Sequence, residues 1–313
     1  MTKTLAEGGA PTASASAPAP APAGPAAAGA AALRGVARTW PGGVTALAGA
    51  DLELPRGAAV AVAGPNGSGK STLLALLAGR LAPSAGSLTV LGLDPAHRRG
   101  RRALRRRVGY LPQEVALDPE MTGAETLALL AALHGVPRRR RRAQAAGLAA
   151  AWGLDEHLKR RVETYSGGLK RRLHLAGGEV HEPELLLLDE PTAGLDPAGR
   201  ELVWRRVADH RARGATVVVA THDLDAAGRR CDLAVIVARG RVLAFASPAS
   251  LLVAHSAPDL TAVYTRLTGA PPEPSNGGAR RGGSRKAGRN GRALEAGDRA
   301  ESGEAAARGE TAP

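Results

Sequence analysis

The stretch Gly64-Pro65-Asn66-Gly67-Ser68-Gly69-Lys70-Ser71-Thr72 spaces glycines, a lysine and hydroxyl side chains as Gly-x-x-x-x-Gly-Lys-Ser. Glycines at this spacing let the backbone curl so that successive N–H groups face phosphate oxygens, and the N-terminus of a following helix adds partial positive charge. Lys70 is then placed for β- and γ-phosphates, and the Ser71 hydroxyl for Mg²⁺. A phosphate loop of this kind needs a carboxylate at the end of a neighbouring strand to hold the metal. The apolar run 185–188 supplies one, ending in Asp189-Glu190. Asp189 is the expected metal carboxylate, and Glu190 the general base that polarises an attacking water. The chemistry these residues point to is hydrolysis of ATP with Mg²⁺.

Such groups require strands and helices that bring them together. Residues 58–63 form a short apolar run, 64–69 a loop, and 71–81 carry leucines at helical spacing, which predicts strand, loop and helix in that order. The runs 185–188 and 216–220, the second ending in Thr221-His222, read as strands buried on both faces of a parallel sheet. Residues 233–238 and 242–246 flank Gly240 and predict a hairpin. Between 114 and 176 the pattern is mainly helical, which predicts an inserted helical subdomain. Gly177-Gly178, following it inside a helical stretch, predicts a locally weakened helix, because glycine costs about 1 kcal/mol against alanine there.

The segment Tyr165-Ser166-Gly167-Gly168-Leu169-Lys170-Arg171-Arg172, lying after the phosphate loop and before Asp189, resembles the signature motif of the ABC ATPases. Ser and Gly backbone ahead of a helix offers donors to a phosphate. The resemblance implies that Ser166, Gly167 and Gly168 meet the γ-phosphate of ATP held by a second copy of the chain. It further implies that Gln113 is the Q-loop residue contacting metal and water, that Asp196 in Gly194-Leu195-Asp196 is the D-loop acid at the dimer interface, and that His222 is the switch histidine at the γ-phosphate. Trp40 matches the aromatic that stacks on adenine, with a core position in a small β-subdomain as the alternative. Tyr165 and Leu169 replace the family's usual Leu and Gln, and the motif is most similar to the drug-export ATPases of the ABC-2, daunorubicin-resistance type. The fold implied is α/β, a P-loop NTPase with a mostly parallel central sheet, a small antiparallel β-subdomain and an inserted helical subdomain.

The folded unit is expected over 33–268. Residues 1–32, nearly all Ala, Pro, Gly, Ser and Thr, read as a disordered leader, and 269–313 as a disordered tail of basic and mixed charge. The leader lacks the cationic start and apolar run of a signal peptide. No apolar stretch approaches the roughly 20 residues needed to cross a bilayer, so a transport role requires a separate permease subunit. Cys231 stands alone in the sequence, which excludes an intrachain disulfide and favours the cytosol. The formal charge of +13 gathers in arginine clusters at 98–107, 138–142 and 280–292, read as solvated faces or as contacts to anionic lipid beside a permease. The expected protein is a homodimeric ATPase, peripheral on the inner face of the cell membrane and exporting a solute. Two alternatives stand beside it: a soluble ABC ATPase acting on ribosome or nucleic acid, and an interaction module with a vestigial site.

Overall fold

The structure is a computed structural model and describes residues 29–269. Two strands, β1 (Ala31–Thr39) and β2 (Thr45–Leu54), form a hairpin whose inward residues include Leu33, Val36, Leu47, Leu52 and Leu54. Beyond a turn, β3 (Ala59–Ala63) is buried at every position and runs into the phosphate loop and α1 (Lys70–Leu77). The chain then adds β4 (Ala85–Val90), the arginine-rich α2 (Arg98–Leu104) and β5 (Val108–Leu111). A helical segment follows, comprising α3 (Gly123–Leu133), α4 (Arg138–Trp152) and α5 (Gly167–Glu179). Next come β6 (Leu185–Asp189), α6 (Pro197–Ala212), β7 (Thr216–Thr221) and α7 (Leu224–Arg230). The expected hairpin is β8 (Leu233–Ala238) with β9 (Arg241–Ala246), and α8 (Pro248–Ala254) and α9 (Leu260–Thr268) close the described chain.

A three-stranded antiparallel sheet, β2-β1-β4, stands beside a six-stranded sheet in the order β5-β6-β7-β3-β8-β9. The latter is parallel except for β9. Alternation of side chains across its pleat divides the apolar residues between its faces. Leu185, Leu187, Val218, Val60 and Val62 join the antiparallel sheet and α1 in one core. Leu186, Leu188, Val217 and Val219 join Trp152, Leu173, Trp204 and Val207 in a second, and Ala61, Ala63 and Ile236 pack with the C-terminal helices in a third. Registers Leu111 with Leu188, Asp189 with Ala220 and Ala63 with Thr221 bring the carboxyl ends of β5, β6, β7 and β3 to one edge. That edge is where open parallel sheets bind ligands.

Two expectations are corrected. Ordered structure reaches into the segment read as leader: Ala31 pairs with both Leu54 and Val90, and the Ala30 amide donates to Leu54 O at 2.7 Å. The first helix stops at Leu77, with the chain turning at Ala78-Gly79, so Leu81 lies outside it. Gly177 and Gly178 lie within α5, in its last turn before Glu179. The missing side chains admit close neighbours, since a Cβ at Gly178 would overlap Leu111 and one at Gly177 would overlap Leu130. The remainder of the leader, the tail from 270 onward and the 280–292 arginine cluster lie outside the described residues. Among the described residues no helix is long and apolar enough to cross a membrane.

Candidate active site

The phosphate loop leaves β3 at Gly64 and enters α1 through Gly69, whose φ of 110° suits only glycine and whose missing Cβ lets Ala46 O of β2 approach. Two backbone bonds hold the loop to its surroundings: Gly240 N donates to Ser68 O at 3.0 Å, and Ala48 N donates to Gly240 O at 2.8 Å. Lys70 is 6% exposed, and its Nζ donates to Gly64 O at 2.8 Å and Pro65 O at 3.0 Å. Burial pulls its pKa down, against the opposing pull of Glu190 and Asp189.

Asp189 ends β6, buried at 2% exposure. Burial raises the pKa of its carboxyl, while a hydrogen bond from the Ser71 side chain, Lys70 and Arg171 act in the opposite direction. Asp189 Oδ1 is buried and has no hydrogen-bond partner. An orphaned carboxylate oxygen beside a serine hydroxyl fits Mg²⁺, which takes one or two protein oxygens and completes its shell with water and phosphate. Among the described residues no group of three or more His, Cys, Asp or Glu could hold a metal by itself.

Glu190 sits in the left-handed region at φ 47° and is 5% exposed. Its amide donates to Ala220 O of β7 at 3.0 Å. One carboxylate oxygen lies 3.7 Å from Lys70 Nζ, and the other 2.9 Å from His222 Nδ1. His222 follows the end of β7 and is partly open to solvent. Lys70, Asp189, Glu190, His222 and Ser71 are thus brought together. Gln113, exposed just past β5, joins them through its backbone: its carbonyl accepts from Arg171 Nη1 at 2.6 Å.

The remaining residues stand apart. Ser166 caps α5, its Oγ accepting from Leu169 N at 3.3 Å, and with Gly167 forms an exposed helix N-terminus. Among the described residues no hydrogen bond or ion pair links Ser166, Gly167 or Gly168 to the phosphate loop. Tyr165 is explained by its hydroxyl, which donates to His157 O at 2.6 Å against Gly123, and Leu169 packs against the second core. Asp196 caps α6 through Gly199 N at 2.8 Å and lies 3.9 Å from Arg172. Trp40 is 37% exposed and hence not a core residue. It lies in the β1–β2 turn, its amide donating to Val44 O, with the Arg38 guanidinium 4.8 Å from its ring centroid. Ala46 and Leu47, a few residues along that hairpin, abut Gly69. Arg171 is the residue that reading the sequence passes over. It is 5% exposed and donates to the carbonyls of Gln113, Asp189, Glu190 and Pro191.

Comparison with known proteins gives the geometry a lineage. The family model described as ABC transporter matches residues 47–193. The chain is 44% identical over 199 residues to the daunorubicin resistance ATP-binding protein DrrA3 of Streptomyces coeruleorubidus, covering 64% of this chain and 62% of that protein. It is 37% identical over 220 residues to a Nod factor export ATP-binding protein I of Paraburkholderia xenovorans (strain LB400), covering 70% of this chain and 72% of that one. The match thus spans under two thirds of the daunorubicin relative's length. A solved ATP-binding subunit of an ABC transporter superposes with a TM-score of 0.70 at 28% identity, over 76% of this chain and 99% of that one. A dimeric ATP-binding cassette in a post-hydrolysis state, bound to ADP and Pi, does so with a TM-score of 0.65 at 25% identity, over 69% and 98%. On these grounds the chain belongs to the ABC transporter family.

Proposed function

We propose that this chain is the ATP-hydrolysing subunit of an exporting ABC transporter, acting through a separate membrane permease. The observation that carries the reading is the linked set Lys70, Glu190 and His222, held beside Ser71 and Asp189 at the carboxyl edge of the sheet. Ser71, Asp189 and Gln113 would hold Mg²⁺, which supplies charge neutralisation between β- and γ-phosphates. The backbone of Gly64 to Gly69, with Thr72 in the first turn of α1, cradles phosphate; Lys70 leaves its carbonyl partners for the β- and γ-oxygens. Glu190 orients and deprotonates the attacking water, and His222, already against Glu190, meets the charge growing on the γ-phosphate. Trp40 offers the ring face away from Arg38 to adenine.

Ser166, Gly167 and Gly168 present donors outward on an exposed helix N-terminus, which supports a second copy of the chain bound head to tail so that each signature segment completes the other's site. Asp196 lies on the same interface in this reading. Export is supported by the relatives named for drug resistance and Nod factor export, and the permease and inner-membrane location belong to the same proposal. A second reading, a soluble ABC ATPase acting on ribosome or nucleic acid, is favoured by Arg98, Arg102 and Arg105 on and beside α2, which have no acidic partner among the described residues. Replacing Glu190 by Gln tests the enzyme directly. ATP affinity should stay within about threefold of wild type while turnover falls by about 100-fold or more. Unchanged turnover removes Glu190 as the base.

A further inference from the structure

Helix α5 lies along the chain that leads out of β5, running opposite to it, and it uses a single face to do so. Gly178 sits against Leu111, and a Cβ on Gly109 would strike Gly178 O. One turn earlier in α5, His174 Nε2 lies 3.3 Å from Pro112 O. A further turn back, Arg171 Nη1 donates to Gln113 O. Positions 171, 174 and 178 share one helix face, so the segment from 109 to 113 is followed residue by residue from the end of the strand to the loop. The same guanidinium reaches sideways. Its Nη2 donates to Asp189 O at 3.2 Å and Glu190 O at 2.5 Å, and its Nε to Pro191 O at 3.4 Å. Among the described residues no carboxylate hydrogen-bonds to it, so the side chain acts as a planar fork of donors spanning two loops.

What it spans is the part of the site most in need of support. Glu190 occupies a left-handed conformation that a side chain bearing a Cβ rarely adopts, and such backbone persists only where the surroundings over-determine it. Arg171 binds the carbonyl of that residue and of the residue on each side. We propose that Arg171 is a positioning residue for hydrolysis: it locks the Glu190 turn and the Gln113 backbone to the signature helix as one body. The position of the Glu190 carboxylate in one site is thereby tied to the exposed Ser166 end of the same helix, five residues away along α5. This inference rests on the ATPase reading above and names a residue that reading does not use.

The test compares wild type, Arg171→Lys, Arg171→Gln and Glu190→Gln in the full chain, measuring ATP turnover, KM, affinity for a non-hydrolysable ATP analogue, and melting temperature. Lysine keeps the charge but gathers its donors at one point, and so cannot bridge both loops. Arg171→Lys is expected to lose about tenfold to 100-fold in kcat, with KM and analogue affinity within about threefold, the loss of geometry without loss of binding. Its melting temperature should stay near that of wild type, and Arg171→Gln should fall at least as far in kcat. Wild-type turnover in Arg171→Lys, with Glu190→Gln inactive, would overturn the proposal while leaving the ATPase reading intact. Normal turnover in Glu190→Gln would overturn both. Failure of both Arg171 variants to fold would make the residue one of stability, and would equally overturn the positioning role.

Discussion

Glu190 combines a buried carboxylate, a left-handed backbone and two polar neighbours, Lys70 and His222. A surface strand end would give a glutamate none of these, and the combination is what a poised base requires. The glycine and hydroxyl residues of the phosphate loop could be read from sequence because their chemistry is local to nine consecutive positions. Arg171 could not, because its partners are backbone carbonyls 18 to 20 and 58 residues distant, which carry no residue-type signal. Tyr165, a departure in the motif, anchors the helical segment rather than the site. Tyr165→Phe should therefore cost about 1 kcal/mol in stability, read by denaturant unfolding, and leave ATP affinity unchanged. One buried histidine and one part-buried one set an acid limit. Burial lowers His174 to about 4, helped by Arg171, and lowers His181 to about 4, helped by His134. Each binds its proton more readily when unfolded. Their stabilisation is complete above the ordinary value of 6.5 and is lost as pH falls from there towards 4. Unfolding free energy should drop over that window by on the order of 1 to 3 kcal/mol per histidine, and His181→Gln should flatten the slope.

Helix α5 shows where element-level inference from sequence stops. Propensity alone says that two glycines loosen a helix, and that Gly178→Ala should stabilise by about 1 kcal/mol. The packing says the opposite, since the new methyl would press on Leu111 at the exit of β5. Gly178→Ala is expected to destabilise by about 1 to 3 kcal/mol, and its sign in a thermal melt decides between the two accounts. The C-terminal end of α5 is tied down by charge. Glu179, 3% exposed, lies 2.6 Å from Arg206 Nη2 and 2.9 Å from His210 Nε2, both on α6. Glu179→Ala removes one of the two carboxylates of the part-buried Arg206 guanidinium, which keeps Asp209 at 3.0 Å, and should cost about 1 to 3 kcal/mol. Strands β6 and β7 were readable because parallel strands buried on both faces are continuous apolar runs; the pairing of α5 with the segment 109–113 was not, because it depends on tertiary approach.

At the scale of the molecule, the alternation of strands and helices foretold an α/β fold with a helical insertion, and the loop, signature and carboxylates fell in the expected chain order. The strand order β5-β6-β7-β3-β8-β9 lies beyond local pattern, yet it decides the function. It sets the ends of four neighbouring strands side by side, so that groups separated by more than a hundred residues in the chain meet at one edge of the sheet. The arginines of α2 read as solvated charge, and Arg98, Arg102 and Arg105 stand on an exposed flank without acidic partners among the described residues, open to an anionic surface. In the proposed function ATP holds two copies of this chain together and the pair drives a permease. The measurement that reaches this most directly is capture of tagged Glu190→Gln from detergent-solubilised membranes in the presence of ATP and Mg²⁺. A polytopic membrane protein recovered with two copies of this chain is the predicted result. Ribosomes or nucleic acid recovered without any membrane protein would contradict it.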